Sequence, residues 1–210
     1  MTIWFGRPAT YRRRTARPAA LLVTVLAAAA TAIWWAVLSA APNGSAGSVC
    51  PPPHSASEQP LAATALDQVP PSAPNTVRIR VLNGGGQRGQ ASLVATQLGE
   101  LGFAEAAEPS NDPLYPDGNL TCRGNIRFGP AGASAARTVG LVLPCLPLVR
   151  DTRTDDSVDV AIGTLFGEVN PARATREALE QLSAPPAQAE DGGAAPVDPD
   201  LLAKIRAVRC

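Results

Sequence analysis

The sequence predicts an α/β protein: one N-terminal transmembrane helix followed by a small two-layer α/β sandwich with the element order βαβ-βαββ. Three observations lead to this fold class. An uncharged apolar run lies near the N-terminus, and strand-like runs alternate with helix-like runs between residues 76 and 170. Only 4% of the 210 residues are aromatic whereas 21 residues are proline, which favours one modest domain with long connectors over two domains.

The N-terminal region combines a basic tail, residues 1–17, with an apolar segment, residues 18–41. Five arginines lie in the tail, and no acidic residue precedes Glu58. At about 1.5 Å per residue, the apolar segment exceeds the roughly 30 Å hydrocarbon core of a bilayer. Because positive residues stay in the cytoplasm, we expect a single-pass cell-membrane protein with a cytoplasmic N-terminus and an extracytoplasmic C-terminal domain. A cleaved signal peptide is the alternative, since Ser39-Ala40-Ala41 resembles a cleavage site.

The regions on either side of the predicted domain, residues 76–170, are low in complexity. Residues 42–75 are rich in Pro, Ala and Ser and predict a tether. Residues 171–210 are predicted to hold C-terminal helices and a linker. The last helix begins with Asp198 as N-cap and Pro199 in the first turn. Beyond the basic tail the chain is net acidic, which argues against a nucleic-acid partner.

The predicted domain contains two units that resemble each other. The first is the strand VRIRVLN from Val77, a glycine turn, a helix that stops at Gly102, and a short strand FAEAAE. The second is the strand NIRFG from Asn125, a helix that stops at Pro144, and two further strands, LPLVRDTR and VDVAIG. The helices show apolar residues at intervals of three and four, as expected for helices that lie on a sheet. These apolar residues are Ala91, Val94, Ala95, Leu98 and Leu101 in the first helix and Ala133, Ala136, Val139, Val142 and Leu143 in the second.

The cysteines all follow the apolar segment, and an even number on an oxidising side of a membrane indicates disulfides. A strand and its following helix run in opposite directions. We therefore expect Cys122, before the second-unit strand, to bond Cys145, after its helix. Cys50 then pairs with Cys210 by elimination, although the two other connectivities stay open. There is no CxxC motif and His54 is the single histidine, so we expect no metal site.

The glycine turn Asn83, Gly84, Gly85 and Gly86 follows the first strand of the domain. With Gly89 it matches the spacing of a dinucleotide fingerprint. The small size of the domain, the absence of the pattern from the second unit and the extracytoplasmic location all oppose a nucleotide. We expect no cofactor and interpret the glycines as a tight strand-to-helix crossover. The helix N-terminus beyond them could receive an anionic group of the envelope.

Two charged clusters could suggest other chemistry. Four aspartates in DTRTDDSVD, between residues 151 and 159, lack the glycine and terminal glutamate of a calcium loop, so a solvated turn is expected. Arg78, Arg80 and Arg127 alternate with apolar residues on their strands, which predicts a solvent-exposed sheet face that could also engage acidic polymers. We identify no catalytic residue, because His54 lies in proline-rich coil.

A resemblance to a known family rests on three segments. VRIRVLNGGGQRGQASLVATQLGELGF resembles the start of the LytR C-terminal domain, which has a strand, LNG with further glycines, and an Ala-rich helix ending in GF. IRFGPAGASAARTVGLVLP and DDSVDVAIG resemble its second strand and helix and its closing strand, so the likeness covers about residues 76–167. The combination of anchor, tether and single domain, with cysteines that the generic domain lacks, resembles one actinobacterial group of envelope proteins within this family.

The resemblance implies a role in maintaining the cell envelope. In this family the domain often follows the catalytic domain of LytR-CpsA-Psr enzymes, which attach glycopolymers to peptidoglycan. We expect that activity not to transfer, since 210 residues leave no room for the catalytic domain. The predicted function is a membrane-anchored, non-catalytic module that binds an envelope polymer or a membrane or cell-wall protein, with the turn Asn83–Gly86 as its candidate ligand loop. The alternative is a cell-wall enzyme, either a hydrolase or an accessory to glycopolymer transfer.

Overall fold

A computed structural model of the chain describes residues 17–40, 50, 58–184 and 197–208. Its contacts divide the chain into two units, residues 1–43 and 44–210. The first unit contains helix α1, Arg17–Ala40, whose side chains between residues 20 and 35 are exposed. Judged on the described residues, no helix combines the length and hydropathy that a membrane crossing needs.

The second unit is built on one mixed sheet. In the described part of the chain its seven strands have the order β1-β6-β5-β7-β2-β3, and β4 also pairs with β2. The pairs β2–β7, β2–β3, β2–β4 and β5–β6 are parallel, whereas β5–β7 and β1–β6 are antiparallel. The strands are β1 Gln59–Pro60, β2 Arg78–Asn83, β3 Ala104–Glu105, β4 Ser110–Asn111, β5 Gly124–Phe128, β6 Leu148–Arg150 and β7 Val158–Ile162. The helices are α2 Gln90–Glu100, α3 Ala133–Val142, α4 Arg173–Ser183 and α5 Pro199–Arg206.

The α/β class and the order of the two predicted units are confirmed. The first unit forms β2-α2-β3, and the second forms β5-α3-β6-β7. The closing strand β7 lies between β2 and β5 and joins the two units at the centre of the sheet. The strands β1 and β4 are too short for a periodic sequence signal and were not predicted.

One face of the sheet forms the main core with the helices. Alternate residues of the strands point to this face, as Ile79 and Val81 do on β2, and they pack with Val94 and Leu98 of α2. Helices α4 and α5 complete this core through residues such as Leu179, Leu201 and Ile205. Asp198 caps α5 as predicted, because its Oδ1 accepts a hydrogen bond from the Asp200 amide at 2.8 Å.

The opposite face of the sheet differs from the prediction of a solvent-exposed arginine face. Arg127 is only 3% exposed and Asp159 is equally buried. A second apolar cluster covers this face and contains Tyr115 and Leu120 from the loop between β4 and β5. The exposed-face prediction is therefore wrong for Arg127. The loop that covers it has no periodic pattern, so the sequence does not indicate its position.

The start of the domain also differs from the compositional boundary at residue 76. Gln59 and Pro60, which lie in the predicted tether, pair with β6 as strand β1. Leu66 is 1% exposed in the main core. A proline at the edge of a sheet removes no ladder hydrogen bond from the strands inside it. Residues from the proline-rich region therefore pack as part of the domain.

The predicted disulfide pairing is wrong. Cys50 bonds Cys122, across 72 residues of sequence. Cys122 lies in the second cluster with Leu82 and Leu120, whereas Cys145 borders a cavity lined by main-core residues such as Leu143. The two cysteines thus lie on opposite faces of the sheet, although both precede parallel neighbouring strands. Cys145 is also disulfide-bonded, and Cys210 lies outside the described residues.

Candidate ligand-binding site

The glycine turn is closed by the side chain of Asn83 at the end of β2. The Asn83 Oδ1 accepts a hydrogen bond from the Gly86 amide at 2.9 Å, and its Nδ2 donates to the Gln87 carbonyl oxygen at 2.7 Å. Asn83 is 8% exposed, so these bonds satisfy a side chain that water reaches poorly. The asparagine therefore shapes the turn and is not available as a free ligand group.

The glycines of the turn permit close approach of three backbone segments. A Cβ on Gly85 would lie 2.7 Å from the carbonyl carbon of Gly163, and a Cβ on Gly118 would lie 2.7 Å from the Cα of Gly86. Gly86 and Gly118 also have φ values of +74° and +66°, which disfavour other residues. The Gly84 carbonyl oxygen accepts from the Leu120 amide at 2.9 Å. The structure therefore accounts for these glycines by internal packing.

A polar pocket of about 630 Å³ opens beside this turn. It lies where β2 ends at Asn83, β4 ends at Asn111 and α2 begins. Because β2, β4 and β7 are parallel, their carboxyl ends share one edge, which is where open α/β sheets bind ligands. The N-cap of α2 is Gly89, which offers no side-chain hydrogen bond to the first turn. The pocket therefore has the location and the size of a ligand site.

Four exposed polar side chains give the pocket its chemistry. Arg88 precedes α2 and Ser92 lies in its first turn. Asn111 ends β4, and Asp117 lies in the covering loop, which joins β4 to β5. Arg88 makes no ion pair with any of the described residues. Together these side chains can donate and accept hydrogen bonds and carry one positive and one negative charge.

A buried ion pair holds the covering loop on the sheet beneath the pocket. The guanidinium of Arg127 on β5 donates to both carboxylate oxygens of Asp112, at 3.0 and 2.7 Å. The Arg127 Nε lies 3.7 Å from Glu58 Oε1, and the guanidinium lies 5.6 Å from the centroid of the Tyr115 ring. Burial raises the pKa of Tyr115, and the Arg127 charge opposes this rise. Tyr115 also lines the pocket, so the pair positions one of its walls.

Three of the aspartates between residues 151 and 159, Asp151, Asp156 and Asp159, form ion pairs with arginines, whereas Asp155 accepts a hydrogen bond from the Ser157 amide. Asp159 accepts hydrogen bonds from Arg80 at 2.9 and 2.7 Å and from Arg153 at 2.8 Å. Arg153 also pairs with Asp151. No group of metal-binding side chains occurs among the described residues. The predicted solvated turn is thus wrong for Asp159, because this residue is buried on the central strand β7 and pairs with Arg80 and Arg153.

The predicted ligand loop contributes only part of the pocket wall. Asn83 and Gly86 line the pocket, whereas Gly84 packs against the Leu120 side chain and Gly85 against the backbone at Gly163. The residues with free polar groups, Arg88, Asn111 and Asp117, were not predicted as site residues. The polar segment SNDPLYPDGN carries two of them, Asn111 and Asp117. It is rich in turn-forming residues and follows the first predicted unit, and this composition was the available signal for a functional loop.

The strand, glycine turn, helix and closing central strand define a LytR C-terminal type of domain. Residues 76–166 match the family described as LytR cell envelope-related transcriptional attenuator. The chain belongs to the family of the cell envelope integrity protein Cei of Mycobacterium tuberculosis. It is 38% identical to that protein over 212 residues, which cover 98% of this chain and 94% of the relative. The resemblance drawn from the LNGGG segment is therefore confirmed.

The fold is also similar to a solved structure. This is the crystal structure of the soluble domain of a conserved hypothetical secreted protein from Mycobacterium marinum. The TM-score is 0.65 at 38% identity, and the match covers 74% of this chain and all of the other. That relative crystallised as an isolated domain, and residues 44–210 of this chain form one compact unit.

Proposed function

We propose that the protein is a non-catalytic extracytoplasmic module that supports the cell envelope by binding an envelope polymer or a partner protein in the polar pocket. The observation that carries the proposal is the pocket itself. It lies at the carboxyl edge of the parallel strands and presents Arg88 without an ion pair among the described residues. An envelope-related role agrees with the name of the Mycobacterium tuberculosis relative and with the family description.

The charges of the site favour binding over catalysis. Asp117 is the single carboxylate among the residues that line the pocket, and glycoside hydrolysis usually needs a pair. The buried carboxylates Asp112 and Asp159 are each held by arginine side chains, which suits a structural role more than proton transfer. We therefore propose a binding module and not an enzyme.

The proposed location is the outer side of the cell membrane, with α1 as a single-pass anchor. Support comes from the sequence, in which arginines precede an uncharged apolar segment. In the structure the apolar side chains of this helix, such as Leu22 and Trp35, are exposed. Protease added to intact cells should digest the domain. Digestion only after lysis would contradict the location.

Pull-down with residues 44–210 tests the proposed binding. We expect the wild-type domain to retain a component of cell-wall or membrane fractions, and Arg88→Gln with Asn111→Ala to reduce retention without changing the unfolding midpoint. Asp156→Asn, at an exposed carboxylate outside the pocket, is the matched control and should bind normally. Equal retention by the pocket variant and the control would contradict the proposal. Turnover that disappears in Asp117→Asn would favour an enzyme.

A further inference from the structure

A second cavity continues the polar pocket along helix α2. It has a volume of about 350 Å³, and its walls include Ile79, Val81, Leu98 and Phe103. Ser92 and Pro109 line both cavities, so the two cavities adjoin. We call the combined space the α2 groove. The Phe103 end is mainly apolar, with the exposed Glu105 as its one charged lining residue, and the Arg88 end is polar.

The length of the groove follows from the helix that forms one wall. The lining residues run from Gly89 at the start of α2 to Gly99 near its end. Ten residues of α-helix span about 15 Å. The outer side of this wall is made of small or short side chains, Ser92, Ala95 and Thr96, which leave the groove open. An open groove of this length accommodates an extended chain.

The charges at the polar end distinguish between headgroups. Arg88 and Asp117 carry opposite charges, and Asn111 and Ser110 add neutral donors and acceptors. An anionic headgroup in this pocket would share it with the Asp117 carboxylate, and like charges in one site are unfavourable. A hydroxyl group can accept a hydrogen bond from the arginine and donate one to the aspartate. The wall is therefore complementary to a neutral, hydroxyl-rich group.

We propose that the α2 groove binds an amphiphile in which one aliphatic chain lies over Ile79, Val81 and Phe103 and a neutral sugar headgroup lies between Arg88 and Asp117. This ligand class rests on the function proposed above, since both use the polar pocket. An aliphatic chain would bury apolar surface in this cavity, whereas a polysaccharide has no apolar chain to fill it. A glycolipid thus fits both ends of the groove.

Soluble probes test the ligand class on residues 44–210. Dodecyl maltoside, maltose and dodecyl phosphate are titrated below their critical micelle concentrations, and amide chemical shifts of α2 and the 103–118 segment are followed by NMR. We expect dodecyl maltoside to bind about tenfold or more tightly than maltose, because the chain is buried, and more tightly than dodecyl phosphate, because of Asp117. Equal or tighter binding of dodecyl phosphate would overturn the sugar headgroup.

Paired glycine variants test the position of the chain. A Cβ at Gly99 in α2 meets nothing within 4 Å, and the same is true of Gly140 in α3, which lines a different cavity. Gly99→Leu should fill the apolar end and weaken dodecyl maltoside about tenfold, while Gly140→Leu leaves affinity unchanged. Equal affinities of the two variants for dodecyl maltoside would overturn the proposal that the alkyl chain lies in the α2 groove. If no alkyl probe binds but the pull-down succeeds, the ligand class is wrong and the proposed function stands. If both fail, both fall.

Discussion

Arg127 and Asp112 form a bidentate ion pair in the interior of the domain. Asp112 is fully buried and Arg127 nearly so, and their two hydrogen bonds are 3.0 and 2.7 Å long. Asp112 Oδ1 also accepts from the Leu114 amide at 3.0 Å. One carboxylate therefore neutralises the arginine and shapes the loop above it. The pair links the core of the sheet to the wall of the polar pocket.

Replacing Asp112 by alanine is expected to destabilise the domain strongly. The change leaves the Arg127 charge buried, with Glu58 as a more distant carboxylate at 3.7 Å. Loss of one partner of a buried pair costs about 3–5 kcal/mol of unfolding free energy. Urea unfolding of residues 44–210 measures it. Asp156→Ala breaks the exposed pair with Arg78 and should change stability by less than about 1 kcal/mol. Similar effects of the two substitutions would refute the structural role of the buried pair.

Two glycine-to-alanine substitutions separate backbone packing from helix propensity. At Gly85 the new Cβ would lie 2.7 Å from the carbonyl carbon of Gly163 and 2.8 Å from the Thr164 nitrogen, so we expect a loss of about 1–3 kcal/mol. At Gly99 the Cβ meets nothing within 4 Å, and alanine should stabilise the helix by roughly 1 kcal/mol. Thermal unfolding of both variants checks the opposite signs. A neutral Gly85→Ala would show that the turn has room to relax.

The order of strands and helices could be predicted because each unit has its own hydrophobic period. The intervals of three and four in α2 and α3 and the alternation in β2 are local properties of the sequence. The Tyr115 loop has no period, and its place over the sheet depends on Arg127 and Asp112, which lie on different segments. One wall of the polar pocket is formed by that loop. The polar residues of the loop therefore could not be assigned to a site from the sequence.

The cysteines show a further limit of local reasoning. The directions of the strands and the helix predict that Cys122 and Cys145 lie at the same end of the sheet. The structure agrees with this, because the two residues precede the parallel strands β5 and β6. These directions do not determine on which face a cysteine in a loop lies. Cys122 packs with Leu120 and Ala161 on the covered face, so Cys50 reaches it and Cys145 does not.

Removal of the Cys50–Cys122 bond is expected to lower stability. The bond spans 72 residues, for which the loop-entropy relation gives about 4 kcal/mol at 25 °C. Cys50→Ser measured by urea unfolding without reductant tests this value. Peptide mapping of the wild type under non-reducing conditions should yield a fragment that joins the peptides of Cys50 and Cys122. A fragment that joins Cys122 to Cys145 would contradict the pairing.

Asp159 is expected to contribute to the loss of stability in acid. Its burial opposes ionisation, but hydrogen bonds from Arg153 and Arg80 outweigh burial and hold the pKa of its carboxyl below the usual value. A carboxyl whose pKa is lower in the folded state stabilises the fold above its unfolded pKa, near 3.9, and loses this contribution as the pH falls through the folded pKa. The unfolding free energy should therefore fall from about pH 5 downwards.

The variant Asp159→Asn isolates this contribution. It cannot ionise, so it should be less stable than wild type at pH 7 and show a flatter decline between about pH 5 and pH 2. Urea midpoints measured at pH steps across this range give the two slopes, and Asp156→Asn, at an exposed carboxylate, serves as the charge-matched control. If the stabilities of Asp159→Asn and wild type fell in parallel with decreasing pH, the ion pairs of Asp159 with Arg80 and Arg153 would not be the cause of the acid sensitivity.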